Sequence, residues 1–253
     1  MTRAALVAAL LIAAAGAARA EPTDAAVIPA STRQLITGVI ADWDATQVTL
    51  RRWRRDGDAW IADGAAWQGV IGKGAAWGAG LHGSGPPRGR DGAAKREGDG
   101  KSPAGAFALR ATYGYAARPP AKAALPYTQV TADWQCVDDA ESPHYTQIVD
   151  RAHLPAGATV DWKSAEAMRR RDALYTWVVD IAHNPAAHPG DGSCIFLHVW
   201  RTATAATVGC TAMPERKLAT LIAGLDPSAV YVLLPRTEYD ALARSWGLPP
   251  RAK

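Results

Sequence analysis

Phenylalanine, cysteine and methionine are scarce in this chain, at two, three and three residues of 253. Three cysteines are too few for a disulfide scaffold, and their odd number leaves at least one thiol unpaired within a single chain. Beyond Ala20 no apolar run is long enough to cross a bilayer, which argues against stable membrane insertion of the rest of the chain. Neither sign of charge is in large excess: 28 Lys and Arg face 24 Asp and Glu, for a net +4. Without Arg3 and Arg19 of the leader, 4 − 2 leaves +2, too little to argue for nucleic acid, although it suits an anionic wall polymer. Gly98-Asp99-Gly100-Lys101-Ser102 lacks the glycine that a phosphate loop needs at position 95, where Lys95 stands. His183, His188 and Asp191 sit in a Pro/Gly-rich loop without helical register or a fourth ligand, so no metal site and no cofactor are expected.

Tryptophan, by contrast, is abundant at ten residues, and some of these indoles are expected to line a groove by stacking on sugars or peptides. The N-terminus reads as a cleaved signal peptide over residues 1–20. Arg3 supplies the positive region, Ala4 to Ala15 the apolar region and Ala18-Arg19-Ala20 the cleavage site. Export to the periplasm or cell envelope is the expectation. Residues 21–33 read as a flexible lead, 34–236 as one domain and 237–253 as a terminal helix and tail.

The pattern along the domain predicts a mostly β fold with short helices. Gln34 to Ile40, Thr46 to Trp53, Trp67 to Ile71, Gly105 to Leu109, Leu174 to Ala182, Cys194 to Trp200 and Ala229 to Leu234 read as strands. Asp56-Gly57 predicts a hairpin turn before a return strand at Trp60-Ile61. Gly83 to Pro103 reads as a long surface loop, and Trp134 to Asp150 as a loop over the core. Helices are predicted over Ser164 to Arg171, with Ser164 as cap, over Pro214 to Leu225, and over Thr237 to Trp246 with Thr237 as cap.

Ser193 to Trp200 followed by Thr207 to Pro214 carries the chemistry. An apolar strand ends at His198, a small-residue loop follows, and Gly209 precedes Cys210. A thiol beside an imidazole can be deprotonated and attack an acyl carbon. Cys210 is the candidate nucleophile and His198 the general base. The N–H groups of Gly209 and Cys210 are candidates for an oxyanion hole, because glycine leaves room for a carbonyl oxygen. Arg201 could hold a carboxylate by two hydrogen bonds. Trp200 and Thr207 flank the pair, and Tyr145 and Asn184 lie in loops placed to roof a cleft. In an oxidising compartment Cys136 and Cys194 can form a disulfide that leaves Cys210 free, the alternative being two buried thiols. Strand alternation would put Cys194, Phe196 and His198 on one face, with Cys194 about 13 Å from His198.

These segments resemble the L,D-transpeptidase catalytic domain of bacterial cell-wall enzymes. The family has a histidine on a strand, a loop, then Ser/Thr-His-Gly-Cys, a hydrophobic residue, Arg or Asn and often Met. Thr207, Gly209, Cys210 and Met213 match, whereas Val208 replaces the second histidine and Ala212 the Arg or Asn. Lys95 to Phe107 is similar to the Gly-Asp-Gly-Lys-Thr-Pro segment of that family, and with Trp77 to His82 the likeness spans about Gln34 to Pro235. The resemblance implies a β-sandwich-like core and transfer of peptidoglycan stem peptides through a Cys210 acyl-enzyme, with carbapenem-type inhibitors acylating the same thiol. With water as acceptor the site would be an L,D-carboxypeptidase or endopeptidase; without chemistry, the chain would be a wall-binding relative.

Overall fold

Alternation of side chains at the strand period of two decides which residues enter the core of this protein. The computed structural model describes residues 26–121, 123–154, 156–157 and 159–251. The signal peptide expected at 1–20 lies outside the described residues. In the first half of the chain the strands are β1 (Gln34–Ile40), β2 (Gln47–Asp56), β3 (Ala59–Ala62), β4 (Trp67–Val70), β5 (Ala75–Trp77), β6 (Ala79–Gly80), β7 (Gly83–Ser84) and β8 (Ser102–Gly114). There follow β9 (Tyr127–Gln129), β10 (Trp134–Val137), β11 (Ile148–Asp150), β12 (Ala165–Ala167), β13 (Trp177–Ile181), β14 (Phe196–Val199), β15 (Thr211–Met213) and β16 (Val230–Pro235). The helices are α1 (Glu215–Ala223) and α2 (Arg236–Trp246).

Eight strands pair in the order β1–β16–β8–β13–β14–β15–β4–β2, and β2 pairs with β1. The main sheet is therefore a closed ring, which leaves no unpaired edge around its circumference. Both parallel pairs of the ring, β1 with β16 and β14 with β15, matter for its shape. The first joins the two ends of the domain. The second places the strand carrying His198 beside the strand that follows Cys210.

Leu35, Val48, Leu50, Ala106, Val179, Leu197, Val199 and Val232 belong to one large buried cluster, and α1 adds Leu218, Leu221 and Ile222 to it. Each fully buried Leu, Ile or Val contributes about 1.5–3 kcal/mol, so this cluster is the main stabilising term. α2 closes the same core with Tyr239, Leu242 and Trp246. Arg90 clamps that helix to the loop before β8, donating to both carboxylate oxygens of the buried Glu238 at 2.5 and 2.7 Å.

Several expectations are corrected. Ser164 to Arg171 is not helical: Ala165–Ala167 is β12, pairing with β10. The edge of β10 offers this segment a ladder of hydrogen bonds, and Met168 is fully buried beside it. Trp134 to Asp150 is not a bare loop, because β10 and β11 pair at its two ends, and with β12 they form a separate three-stranded sheet. α2 begins at Arg236, with Pro235 as N-cap and no side-chain cap, so Thr237 lies inside the first turn. α2 packs on the main cluster through Tyr239, Leu242 and Trp246. The lead is not free either where it is described: Ile28 is buried, its N–H donating to the Trp246 carbonyl at 3.3 Å. The Asp56-Gly57 hairpin occurs as read from the sequence, the strand read at Ala229 to Leu234 is β16, one residue further on, and the helix read at Pro214 to Leu225 is the shorter α1.

Cys136 and Cys194 form a disulfide, and Cys210 is free. The bridge fastens β10 of the small sheet to the segment just before β14. It closes a separation of 58 residues, for which chain-entropy arithmetic gives about 4 kcal/mol. Replacing both residues by serine is expected to lower unfolding free energy in urea by up to about that amount. Thiol titration of the unfolded, unreduced protein is expected to find a single reactive thiol, that of Cys210.

Candidate active site

β14 has two different faces. Leu197 and Val199 point into the main core, while Phe196 belongs to a second cluster with Cys136, Met168, Tyr175, Val178 and Cys210. His198 shares the Phe196 face by alternation, and its ring lies 5.2 Å from that of Tyr175. The second cluster fills the space between the β13–β14 wall and the small sheet. After β14 the chain leaves as the loop from Trp200 and returns to β15 in parallel, with Leu197 opposite Thr211. That return brings Cys210 beside Phe196, whose N–H donates to Cys210 Sγ at 3.3 Å. Cys210 and His198 thus line one cavity of about 480 Å³.

The turn that presents Cys210 is held from three sides. Ser102 Oγ, fully buried, accepts from the Gly72 N–H at 2.9 Å and donates to the Gly209 carbonyl at 2.6 Å. Thr207 Oγ1 donates to the Cys210 carbonyl at 2.6 Å and accepts from the Gly209 N–H at 3.2 Å. Gly209 has φ 146°, and a Cβ there would lie 3.2 Å from Ile195 Cδ1 and 3.3 Å from the Lys101 carbonyl. Glycine is needed for both reasons. The Gly98-Asp99-Gly100-Lys101-Ser102 segment accordingly has a structural explanation. Asp99 accepts from Lys95 Nζ at 2.6 Å, the Arg96 N–H at 2.9 Å and the Lys101 N–H at 2.8 Å, which fixes the loop carrying Ser102.

His198 Nδ1 lies 2.8 Å from the Val199 carbonyl. A carbonyl only accepts, so Nδ1 carries the proton and Nε2 keeps its lone pair, the tautomer a general base needs. Burial lowers the imidazole to about 4, against the opposing pull of the Val199 carbonyl. Burial pushes the Cys210 thiol up to about 12, and the Glu166 carboxylate adds to the rise. At neutral pH the resting pair is therefore thiol and neutral imidazole. Cys210 Sγ lies 3.5 Å from the Cys194 carbonyl, to which the thiol can donate.

Tyr175 and Glu166 are the residues that sequence reasoning missed. The buried Tyr175 hydroxyl donates to Glu166 Oε1 at 2.6 Å, and Arg170 Nη1 lies 3.6 Å from the same oxygen. Tyr175 also packs edge-on against both His198 and Phe196. Burial raises Glu166, countered by the Tyr175 and Arg170 contacts. A buried tyrosine requires a partner for its hydroxyl, but only the fold shows that the partner is a residue of β12.

Of the residues expected at the site, Cys210, His198, Gly209, Thr207 and Arg201 line the cavity. Trp200 follows the base but is outside the lining, and none of the ten tryptophans forms an indole platform in this cavity. Tyr145 and Asn184 do not roof it. Tyr145 is buried, donating to Glu97 Oε2 at 2.6 Å and accepting from the Gly192 N–H at 3.1 Å. Asn184 is buried with φ 49° and closes the 184–192 loop, donating to the His188 and Gly192 carbonyls and accepting from the His188 N–H. Both therefore support the cavity wall from behind. The Gly209 N–H is occupied by Thr207, which leaves the Cys210 N–H, without an acceptor among the described residues, as the remaining main-chain candidate for an oxyanion hole. Val208 stands on the cavity lip, 80% exposed. His183 uses both ring nitrogens on the backbone, with Ala79 and Asp191. Cys194 has φ 54° and lies outside the strand; its carbonyl touches the nucleophile, although its sulfur is in the disulfide.

A thiol raised from 9.0 to about 12 holds about a thousandfold less thiolate at pH 7 than an ordinary one. Raising the pH restores it, about tenfold per unit. Iodoacetamide modification of Cys210 in the folded protein, followed by intact mass, is expected to rise in this way from pH 7 to 9 without a plateau. At pH 7 it should be far slower than in urea.

Comparison of the chain with protein-family models, with curated proteins and with solved structures returned no match.

Proposed function

We propose that the protein is an exported cysteine acyltransferase of the L,D-transpeptidase type, cross-linking peptidoglycan stem peptides in the periplasm or cell envelope. The observation that carries this reading is that Cys210 and His198 line one cavity, His198 on β14 and Cys210 immediately before the adjacent parallel strand β15. On this reading the closed eight-stranded ring takes the place of the sandwich-like core that the resemblance implies. The cleft then lies on the outer side of the β13–β14–β15 wall.

In the proposed reaction Cys210 Sγ attacks the carbonyl carbon of the third, L-centred stem residue as His198 Nε2 takes the thiol proton. Burial favours the neutral thiol and the neutral imidazole, and so favours attack concerted with proton transfer over a preformed ion pair. The Cys210 N–H donates to the developing oxyanion. Collapse expels the terminal D-amino acid, whose nitrogen takes the proton from His198, and leaves a thioester on Cys210. The amine of a second stem then attacks the thioester and gives a proton to His198. A new amide forms, and Cys210 regains its proton as it leaves.

Purified muropeptides incubated with the protein are expected to yield cross-linked products lacking one terminal D-residue, identified by mass spectrometry. Shortened stems without cross-links would instead identify a hydrolase. Cys210→Ala should abolish turnover while circular dichroism stays native. His198→Ala should slow acylation by about 10²–10⁴-fold. A carbapenem should add one drug mass per chain to wild type and none to Cys210→Ala; a wild type inert to both reagents would favour a non-catalytic wall-binding relative.

A further inference from the structure

The charged residues that line the cavity divide into those already engaged and those left free. Lys95 Nζ is held by Asp99 Oδ1 and by the Arg96 carbonyl, both at 2.6 Å. Arg170 spans both carboxylate oxygens of Asp172 at 3.0 Å and lies near Glu166. Among the acids, Glu97 Oε2 accepts from both Tyr145 and Ser193 at 2.6 Å, and Glu166 accepts from Tyr175. Asp138 has a buried oxygen, Oδ1, without a hydrogen-bond partner among the described residues. Two lining cations remain. Lys73 and Arg201 are exposed, and neither has a carboxylate within ion-pair distance among the described residues.

These two cations come from separate segments. Lys73 sits in the turn between β4 and β5. Its N–H donates to the Gly100 carbonyl at 2.8 Å, and its stem runs along Gly100, with Cδ 3.6 Å from where a Cβ of that glycine would be. The absence of a side chain at Gly100 therefore gives the lysine a track beside the loop that supports the nucleophile. Arg201 follows β14, three residues after the base. The apolar lip of Ala205, Ala206 and Val208 also lines the cavity and offers no charge. A ligand that fills this cavity meets an uncharged lip and two cations outside any ion pair, while Glu97, Asp99 and Glu166 are each held by donors and Asp138 keeps one buried oxygen unpartnered.

We propose that Lys73 and Arg201 read free carboxylates on the acyl-donor stem, so that the donor is the free-acid form rather than its amidated counterpart. The proposal rests on the reading of this cavity as the donor site. Amidation removes the negative charge while keeping size and shape, so it isolates the contribution of charge. A charge-assisted hydrogen bond to one of these cations strengthens binding by about tenfold or more relative to the neutral amide.

The test is calorimetric titration of Cys210→Ala protein, which cannot turn over, with free-acid and fully amidated tetrapeptide stems. The free acid is expected to bind at least about tenfold tighter, and the preference should shrink with added salt. Lys73→Gln and Arg201→Gln should each weaken free-acid binding by about tenfold and leave amidated binding unchanged, whereas Lys73→Arg should retain the preference. Equal affinity for the two stems, no measurable binding of either, or a preference that survives both glutamine variants would overturn the proposal. Failure of the transferase reading shows separately, as absence of a carbapenem adduct on Cys210 in the wild-type protein.

Discussion

The Ser102 hydroxyl is the contact on which the geometry of the site depends. It is fully buried, it takes the Gly72 N–H, and it gives its proton to the Gly209 carbonyl at 2.6 Å. Those bonds tie three separate segments to one oxygen: the turn after β4, the start of β8 and the turn before β15. Ser102 is itself placed by the Asp99 loop, whose two flanking glycines have φ 73° and 68°. Loss of the hydroxyl would leave a buried N–H and a buried carbonyl unpaired, costing about 1–3 kcal/mol for each group. The cost would fall on the turn that aims the thiol.

A second constraint acts from the other side of the cavity. The small sheet of β10, β11 and β12 packs on the second apolar cluster through Cys136 and Ile148, and it carries Glu166 to the edge of the site. Cys136 stands directly opposite Glu166 in the β10–β12 register. The disulfide from Cys136 to Cys194 therefore fixes Glu166 relative to β14 through a single cross-strand pair. Tyr175 completes the connection, with its hydroxyl on Glu166 and its ring edge against His198. The bridge stabilises the fold and also positions the wall that faces the imidazole.

The site was legible in the sequence wherever one segment determined the outcome. His198 at the end of an apolar strand, Gly209 before Cys210 and the free third cysteine are local patterns, and the cavity brings their residues together. The Asp99–Ser102 segment was visible as a motif, but its purpose lies in bonds to Gly72 and Gly209, distant in the chain. Ser164 to Arg171 failed as a helix because β10 supplies a pairing edge that no local propensity records. Tyr145 and Asn184 were placed correctly in loops near the cleft. Direction was the missing quantity, since both point back to brace Glu97 and Gly192. The closure of the ring depends on the pairing of β1 with both β2 and β16, a long-range contact that alternation alone does not specify.

The resting electrostatics follow from the same burial that makes the site precise. An imidazole lowered to about 4 and a thiol raised to about 12 form a poor ion pair before substrate arrives. The thiol is thus kept from alkylation and oxidation, because reactivity follows thiolate content. In the proposed reaction the acyl carbon would have to be in place as the proton moves, which puts weight on positioning. A site of this kind gains from fixed contacts with the donor. Lys73 and Arg201, the lining cations outside any ion pair among the described residues, are the groups through which the proposed donor contacts would be made, while Glu97 and Asp99 hold the surrounding loops in position.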